Sequence, residues 1–420
     1  MRVLWFTPTS SQYDKGSHYY HGGGWIESLE QAFIELPAIE LGVSFFHASA
    51  DAKKQNGKVT YYPIKTEKKG NFGKLIKNWS CEIGSGKYLK NLLDVIADFK
   101  PDVIQVFGTE NNFAEILTHT KIPVVIHLQG IINPYDNAFY PPGINSLNIM
   151  THLPFFKNHL LGNSLLFDKK RFEKQAKREW FYFKKVNYLM GRTCWDNKIS
   201  SLLAPQASYF HVDEILRSSF YTATPWSPNS QGRLKIISTI SNTIYKGLDL
   251  ILKTASILKE TFEDPFDWHI IGLNENSKMA KFFESTFRKK FRSCNITFMG
   301  IFSEAGLIKS LKEADIFVHP SYIDNSPNSL CEAQMLGMPV IATNVGGVAT
   351  LIDHGTTGLL VPANAPYELA HSIALLANDR IKAGQLGKQA RIAALDRHDK
   401  AKTISSLINV YQTMHNKKQY

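Results

Sequence analysis

Two acids, Asp324 and Glu332, stand eight residues apart in a stretch that runs from His319–Pro320–Ser321 through Glu332–Ala333 to Gly337–Met338–Pro339–Val340. The pattern reads as a buried strand over Asp315–His319, then a loop, then a helix opening near Pro327–Asn328. Carboxylates accept hydrogen bonds from sugar hydroxyls, and the free N–H groups of a helix start attract phosphate. The chemistry indicated is recognition of a polyhydroxylated, phosphorylated ligand, at the edge where open α/β sheets bind ligands. Acids near a helix start also serve as plain caps, because negative charge is favoured there. Spacing along the chain gives no separation in space, so the two are not read as a hydrolase acid/base pair.

Further candidates follow other strands. Lys246–Gly247 comes just past the strand Leu234–Ser238, at a helix start. His21–Gly22–Gly23–Gly24–Trp25 follows the first strand and opens a helix; glycines let backbone approach a phosphate closely. A dinucleotide fingerprint fails there, because Glu27 holds the position that needs the third glycine. His127 ends the strand Val124–Leu128, and Arg192 lies in Gly191–Arg192–Thr193–Cys194–Trp195–Asp196 just after another strand. Each of these is also the kind of residue that pairs quietly inside a fold. Glu110–Asn111–Asn112, after Val103–Phe107, is a weaker candidate.

The elements that must position these residues alternate nearly throughout. Strands are expected at Val3–Thr7, Val43–Ala48, Val103–Phe107, Val124–Leu128 and Tyr188–Gly191, and then at Leu234–Ser238, Trp268–Ile271, Ile296–Met299, Ile316–His319, Val340–Thr343 and Gly358–Val361. Helical patterns such as Trp25–Leu36, Tyr88–Phe99, Leu248–Leu258 and Pro366–Asn378 separate them, which argues for parallel α/β layers. Tyr221–Gly232, with Pro225, Pro228 and several Ser, Thr and Asn, reads as a linker. The expected architecture is two Rossmann-like doubly wound domains, 1–222 and 223–395, facing a central cleft, with a helix and tail at 396–420.

The Pro320–Ser321, Glu332–Ala333 and Gly337–Met338–Pro339–Val340 blocks resemble the two-acid region of retaining GT-B glycosyltransferases, family 4 (glycosyl transferases group 1). Asp324 stands where that family usually has Glu, one methylene longer. The turns Gly346–Gly347 and Asp353–His354–Gly355 and the strand Gly358–Val361 continue the likeness, which is specific over about Arg233 to Asp379. The resemblance implies that Asp324, with Asn325, Ser326 and Asn328, contacts the donor sugar and phosphates, and that Glu332 binds the ribose. It implies that Gly22, Gly23 and Gly24 form a donor-phosphate loop, that His127 sits by the reacting sugar, and that Lys246 grips the diphosphate. The family's companion arginine is replaced by Ser241, which leaves Arg192 as a candidate phosphate or acceptor contact. The family's last helix commonly returns to the first domain, a role open to Lys400–Met414.

Composition limits the alternatives. The net charge is +11, with basic clusters at Lys169–Lys185 and Lys278–Arg292. Nucleic acid, anionic membrane and phosphorylated substrates all suit such a surface. No nucleic-acid motif is present. The first cluster interleaves Phe172, Trp180 and Phe181 with its cations, a pattern fitting a membrane surface or an ordinary amphipathic helix. Four scattered cysteines show no metal spacing and suit a reducing cytosol. No run is long enough for a transmembrane helix, and Met1–Phe6 reads as a strand rather than a signal peptide. The expectation is a cytoplasmic enzyme, peripheral on the inner membrane face, that moves a sugar from a nucleotide-diphosphate donor, UDP by preference, to a glycan or lipid-linked acceptor in bacterial surface polysaccharide synthesis. No cofactor or metal is expected. The alternatives are a GT-B sugar-nucleotide epimerase and a degenerate nucleotide-sugar-binding subunit.

Overall fold

The strands are mostly continuous apolar runs, as strands covered on both faces must be. The computed structural model describes residues 1–14, 24–36, 38–67, 70–84, 86–151, 158–228 and 232–417. Contacts divide the chain into two compact units. The first comprises Met1–Asp136, Asn158–Ile215 and His398–Tyr420; the second comprises Asn137–Lys157 and Leu216–Arg397.

In the first unit, β1 (Arg2–Phe6), β2 (Glu40–His47), β3 (Lys54–Asn56), β4 (Val59–Lys65), β5 (Val103–Phe107), β6 (Val124–His127), β7 (Tyr188–Gly191) and β8 (Ser208–His211) form an eight-stranded sheet. Its order is β3-β4-β2-β1-β5-β6-β7-β8, and β3 alone runs antiparallel to its neighbour. β1 shows how alternation fills both faces. Val3 and Trp5 join one core cluster with Trp25 and Phe33, while Leu4 and Phe6 join the other with Phe113 and Tyr182. The last helix, Lys400–Lys417, adds Leu407, Val410, Tyr411 and Met414 to the first of these clusters.

The second unit holds an all-parallel, six-stranded sheet of β9 (Leu234–Thr239), β10 (Phe266–Ile271), β11 (Ile296–Gly300), β12 (Ile316–His319), β13 (Val340–Thr343) and β14 (Leu359–Val361), ordered β11-β10-β9-β12-β13-β14. Both sheets are Rossmann-like. Chain order reverses between β1 and β5 in the first sheet and between β9 and β12 in the second. Connections leave such a point in opposite directions, so a crevice opens at the carboxyl ends of the two flanking strands.

At the second reversal the loops touch. Gly247 adopts φ 77°, and a Cβ there would stand 2.0 Å from the Pro320 carbonyl oxygen. Only glycine fits both the backbone angle and the approach. Gly247→Ala should therefore lower the unfolding free energy by about 1–3 kcal/mol. A urea midpoint equal to that of the wild type would show that the two loops are not held this closely.

Candidate active site

β9 and β12, the strands flanking the reversal, deliver the residues singled out in the sequence. β9 leads to a 3-10 turn at Ile244–Lys246, then to Gly247 and the helix Leu248–Thr261. β12 leads through Pro320–Pro327 to the helix Asn328–Leu336. Neither helix has a side-chain cap at its N-terminus. Backbone N–H groups of the first turn have no intrahelical partner, and the macrodipole adds partial positive charge. The loops are tied before any ligand arrives. Tyr322 N donates to Tyr245 O at 2.8 Å, and Tyr322 Oη donates to Asp249 Oδ2 at 2.8 Å. The Tyr245 ring also meets Phe139, from the Asn137–Lys157 segment of the same unit.

Lys246 and Asp324 meet at the centre. Lys246 Nζ lies 2.5 Å from Asp324 Oδ2, and His319 Nε2 lies 3.1 Å from the same oxygen. Ser321 Oγ approaches it at 3.4 Å, and Asn325 N donates to Oδ1 at 3.2 Å. Burial by itself would raise the Asp324 pKa. Lys246 and His319 outweigh it and hold the carboxyl well below the usual range. Behind this acid, Gly347 N donates to the Asp324 carbonyl at 2.9 Å. Gly346, at φ 51°, passes so close that a Cβ would stand 1.9 Å from that carbonyl oxygen. The glycine pair of the sequence motif thus seats the acid.

The neighbouring candidates lie along the same loop and helix start. Asn325 and Ser326 are buried, and Asn328 Oδ1 is buried without a partner among the described residues. Glu332 projects from the same helix toward Arg217, whose Nε and Nη2 both stand 2.8 Å from Oε1. Arg217 Nη1 is also 3.5 Å from Glu304. Burial pushes the Glu332 carboxyl up to about 7, against the opposing pull of Arg217. Ser241 is exposed, and its hydroxyl pairs with Thr243 at 3.1 Å.

The remaining candidates belong to the first unit. His127 ends β6 and is buried between the rings of Trp25 and Phe107. Arg192 is buried too; Nη1 is 3.4 Å from Glu214, Nη2 donates to Gln129 O at 3.0 Å, and its guanidinium lies over Trp25. The Gly191–Asp196 motif turns this corner through a capping box. Thr193 Oγ1 accepts from Asp196 N, and Asp196 Oδ2 accepts from the N–H groups of Arg192 and Thr193. Gly24 begins the helix Gly24–Ile34, while Gly22 and Gly23 lie outside the described residues. Glu110 has an exposed side chain, and its carbonyl accepts from Arg178 at 2.8 Å.

Three contacting residues were not singled out in the sequence. His319 carried the same signal as His127, a polar residue at the carboxyl end of a buried strand. Gln105 is the lone polar residue in the buried run Val103–Phe107, and such a group must find a partner. Arg217 carried no signal, because it lies in no motif.

The two Rossmann-like sheets have the GT-B fold, which solved structures share. The sucrose-phosphate synthase of Thermosynechococcus elongatus aligns with TM-score 0.73 at 13% identity, over 98% of each chain. Anabaena Alr3699/HepE, solved with UDP and glucose, aligns with TM-score 0.61 at 15% identity, over 98% of this chain and 99% of that one. Residues 223–393, which hold the Lys246–Asp324 site, match the family of glycosyl transferases group 1. The D-inositol 3-phosphate glycosyltransferase of Pseudarthrobacter chlorophenolicus is 30% identical over 153 residues, which is 36% of either chain. The chain thus spans 36% or less of the length of the curated relatives it matches.

Glu332 should take up a proton near neutrality. Carbon-13 NMR of labelled glutamate should show a carboxyl with a midpoint near pH 7 that is missing in Glu332→Gln. Arg217→Met, which removes the cation opposing burial, should move the midpoint higher. A midpoint in the ordinary carboxylate range would mean that Arg217 outweighs burial.

Proposed function

We propose that this chain is a retaining, metal-independent glycosyltransferase that moves a sugar from UDP to a glycan or lipid-linked glycan acceptor in bacterial surface polysaccharide synthesis. One observation carries the reading: Lys246 and two uncapped helix N-termini converge at the carboxyl ends of β9 and β12. Positive charge and N–H donors gathered at such a point suit a diphosphate leaving group, whose developing charge they stabilise. In this reading Lys246 exchanges Asp324 for the diphosphate, and Asp324, with His319 behind it, accepts from hydroxyls of the donor sugar. Glu332 accepts from the ribose, and His127 contacts the reacting sugar. UDP as the nucleotide follows the UDP bound by Alr3699/HepE. The likeness to the family 4 pattern supports retention of configuration.

Two tests bear on the chemistry. A stability panel of UDP-, GDP- and ADP-sugars should show the largest rise in melting temperature with a UDP-sugar, since a ligand of the native state stabilises it by mass action. Lys246→Ala should raise the activation barrier by about 3 kcal/mol and so lower kcat roughly a hundredfold, with the fold intact. Turnover near the wild-type value, or activity lost on adding EDTA, would sink the proposed leaving-group chemistry.

The acceptor side of the proposal includes an anionic membrane surface on the cytoplasmic face. No helix among the described residues is long and apolar enough to cross a membrane. In the basic-aromatic stretch, Tyr182 and Phe183 lie in the core, while Trp180 and Phe181 are exposed. A second element supports the same surface. The helix Asn71–Ser80 buries none of its residues, exposes Phe72 (75%), Ile76 and Trp79, and interleaves Lys74 and Lys77. Lys174, from the basic stretch, donates to the Ser80 carbonyl, which places the two elements side by side. Apolar rings among lysines suit the interface of anionic lipid. Phe72→Ser/Ile76→Asp should abolish sedimentation with anionic vesicles and leave turnover of a soluble acceptor intact. Equal sedimentation of variant and wild type would remove this helix from the membrane reading.

A further inference from the structure

His127 reads differently once its neighbours are followed. Its ring is fully buried, with Nδ1 3.2 Å from Gln105 Nε2 and Nε2 without a partner among the described residues. The ring stays neutral, because burial first and Arg192 second push its pKa down to about 3. A neutral imidazole carries one N–H, and which nitrogen holds it decides whether the free Nε2 donates or accepts.

That choice is fixed in the core. The Trp5 indole can only donate, and its Nε1 lies 2.9 Å from Tyr411 Oη. Tyr411 Oη therefore accepts there, and its own hydrogen goes to Gln105 Oε1, its other close neighbour. This turns the Gln105 oxygen toward Tyr411 and its NH2 toward His127. Nδ1 must accept from that NH2, so the proton resides on Nε2. The Trp25 and Phe107 rings, 5.3 and 5.7 Å away between centroids, pack against the imidazole and oppose a ring flip.

We propose that Tyr411, on the last helix, and Gln105, in β5, are positioning residues that lock His127 as a neutral Nε2–H donor. Resting on the glycosyltransferase reading, the atom it serves is a hydroxyl or carbonyl oxygen of the substrate; the relay excludes His127 as a general base through Nε2. The last helix thereby sets the tautomer of a residue remote from it in sequence. In the locked state the sole proton of the ring sits on Nε2, which has no partner among the described residues, and none is gained or lost during turnover.

Nitrogen-15 NMR of histidine-labelled protein, with His127 assigned by its loss in His127→Gln, tests this without turnover. The wild type should show a protonated Nε2 and a bare Nδ1, unchanged from pH 5 to pH 9. Tyr411→Phe frees the Gln105 amide to rotate, and the Nδ1–H tautomer should appear. Gln105→Glu offers Nδ1 a carboxylate, so Nδ1 should become protonated and the ring should titrate in the observed range. In both variants kcat should fall while UDP affinity holds. A wild-type ring with its proton on Nδ1, or variants that keep the wild-type tautomer, would overturn the relay. The expected tautomer shifts with no transfer from any UDP-sugar would leave the relay standing and count against the transferase reading.

Discussion

The contact between Lys246 and Asp324 is the constraint on which the second unit turns. Two opposite charges are withdrawn from water at the point where β9 and β12 diverge. Desolvation costs several kcal/mol per ion, which a buried pair recovers only with good geometry and further hydrogen bonds. Asp324 has them in Ser321 and the Asn325 N–H, with His319 Nε2 3.1 Å away. Holding the pair requires Gly247 against the Pro320 carbonyl on one side and Gly346 against the Asp324 carbonyl on the other. The glycines, the acid and the lysine are therefore one structural statement. Broken singly, such a pair leaves an uncompensated charge. In the proposed reaction a diphosphate breaks it, giving the lysine a new anion and leaving the acid free for hydroxyls.

The first unit solves a related problem with opposite sign. Arg192 is buried beside His127 and is balanced by Glu214 and two carbonyls. Its charge helps keep the imidazole neutral. The second unit holds a paired lysine and carboxylate; the first holds a neutral imidazole. Both rely on residues at the carboxyl ends of parallel strands, where the fold leaves polar groups room to face a ligand.

Much of this was legible in the residues. The apolar runs at Leu234, Trp268, Ile296, Ile316, Val340 and Gly358 fall on β9 to β14; the interior strands β12 and β13, covered on both faces, are buried at every position. β4 went unread because Pro63 argues against a strand, and β8 because a half-exposed edge strand carries a weak pattern. The acid spacing and the Lys246–Gly247 position marked the candidate site before its geometry was known. Its pairings were not legible. Lys246 and Asp324 are 78 residues apart, and Arg217 and Glu332 are 115 apart. Nothing local in either segment encodes its partner. The Trp5–Tyr411–Gln105–His127 chain joins both ends of the protein, and only the polar Gln105 inside an apolar strand hinted at it.

The central claim is that Lys246 changes partners, from Asp324 to the diphosphate. A double-mutant cycle on UDP binding by calorimetry, using Lys246→Met and Asp324→Asn, measures it directly. The account predicts that Asp324→Asn tightens UDP binding by releasing Lys246, and that this gain vanishes in the Lys246→Met background, with a coupling of about 1 kcal/mol or more. Additive effects, or an Asp324→Asn variant that binds UDP more weakly whether or not Lys246 is present, would contradict it.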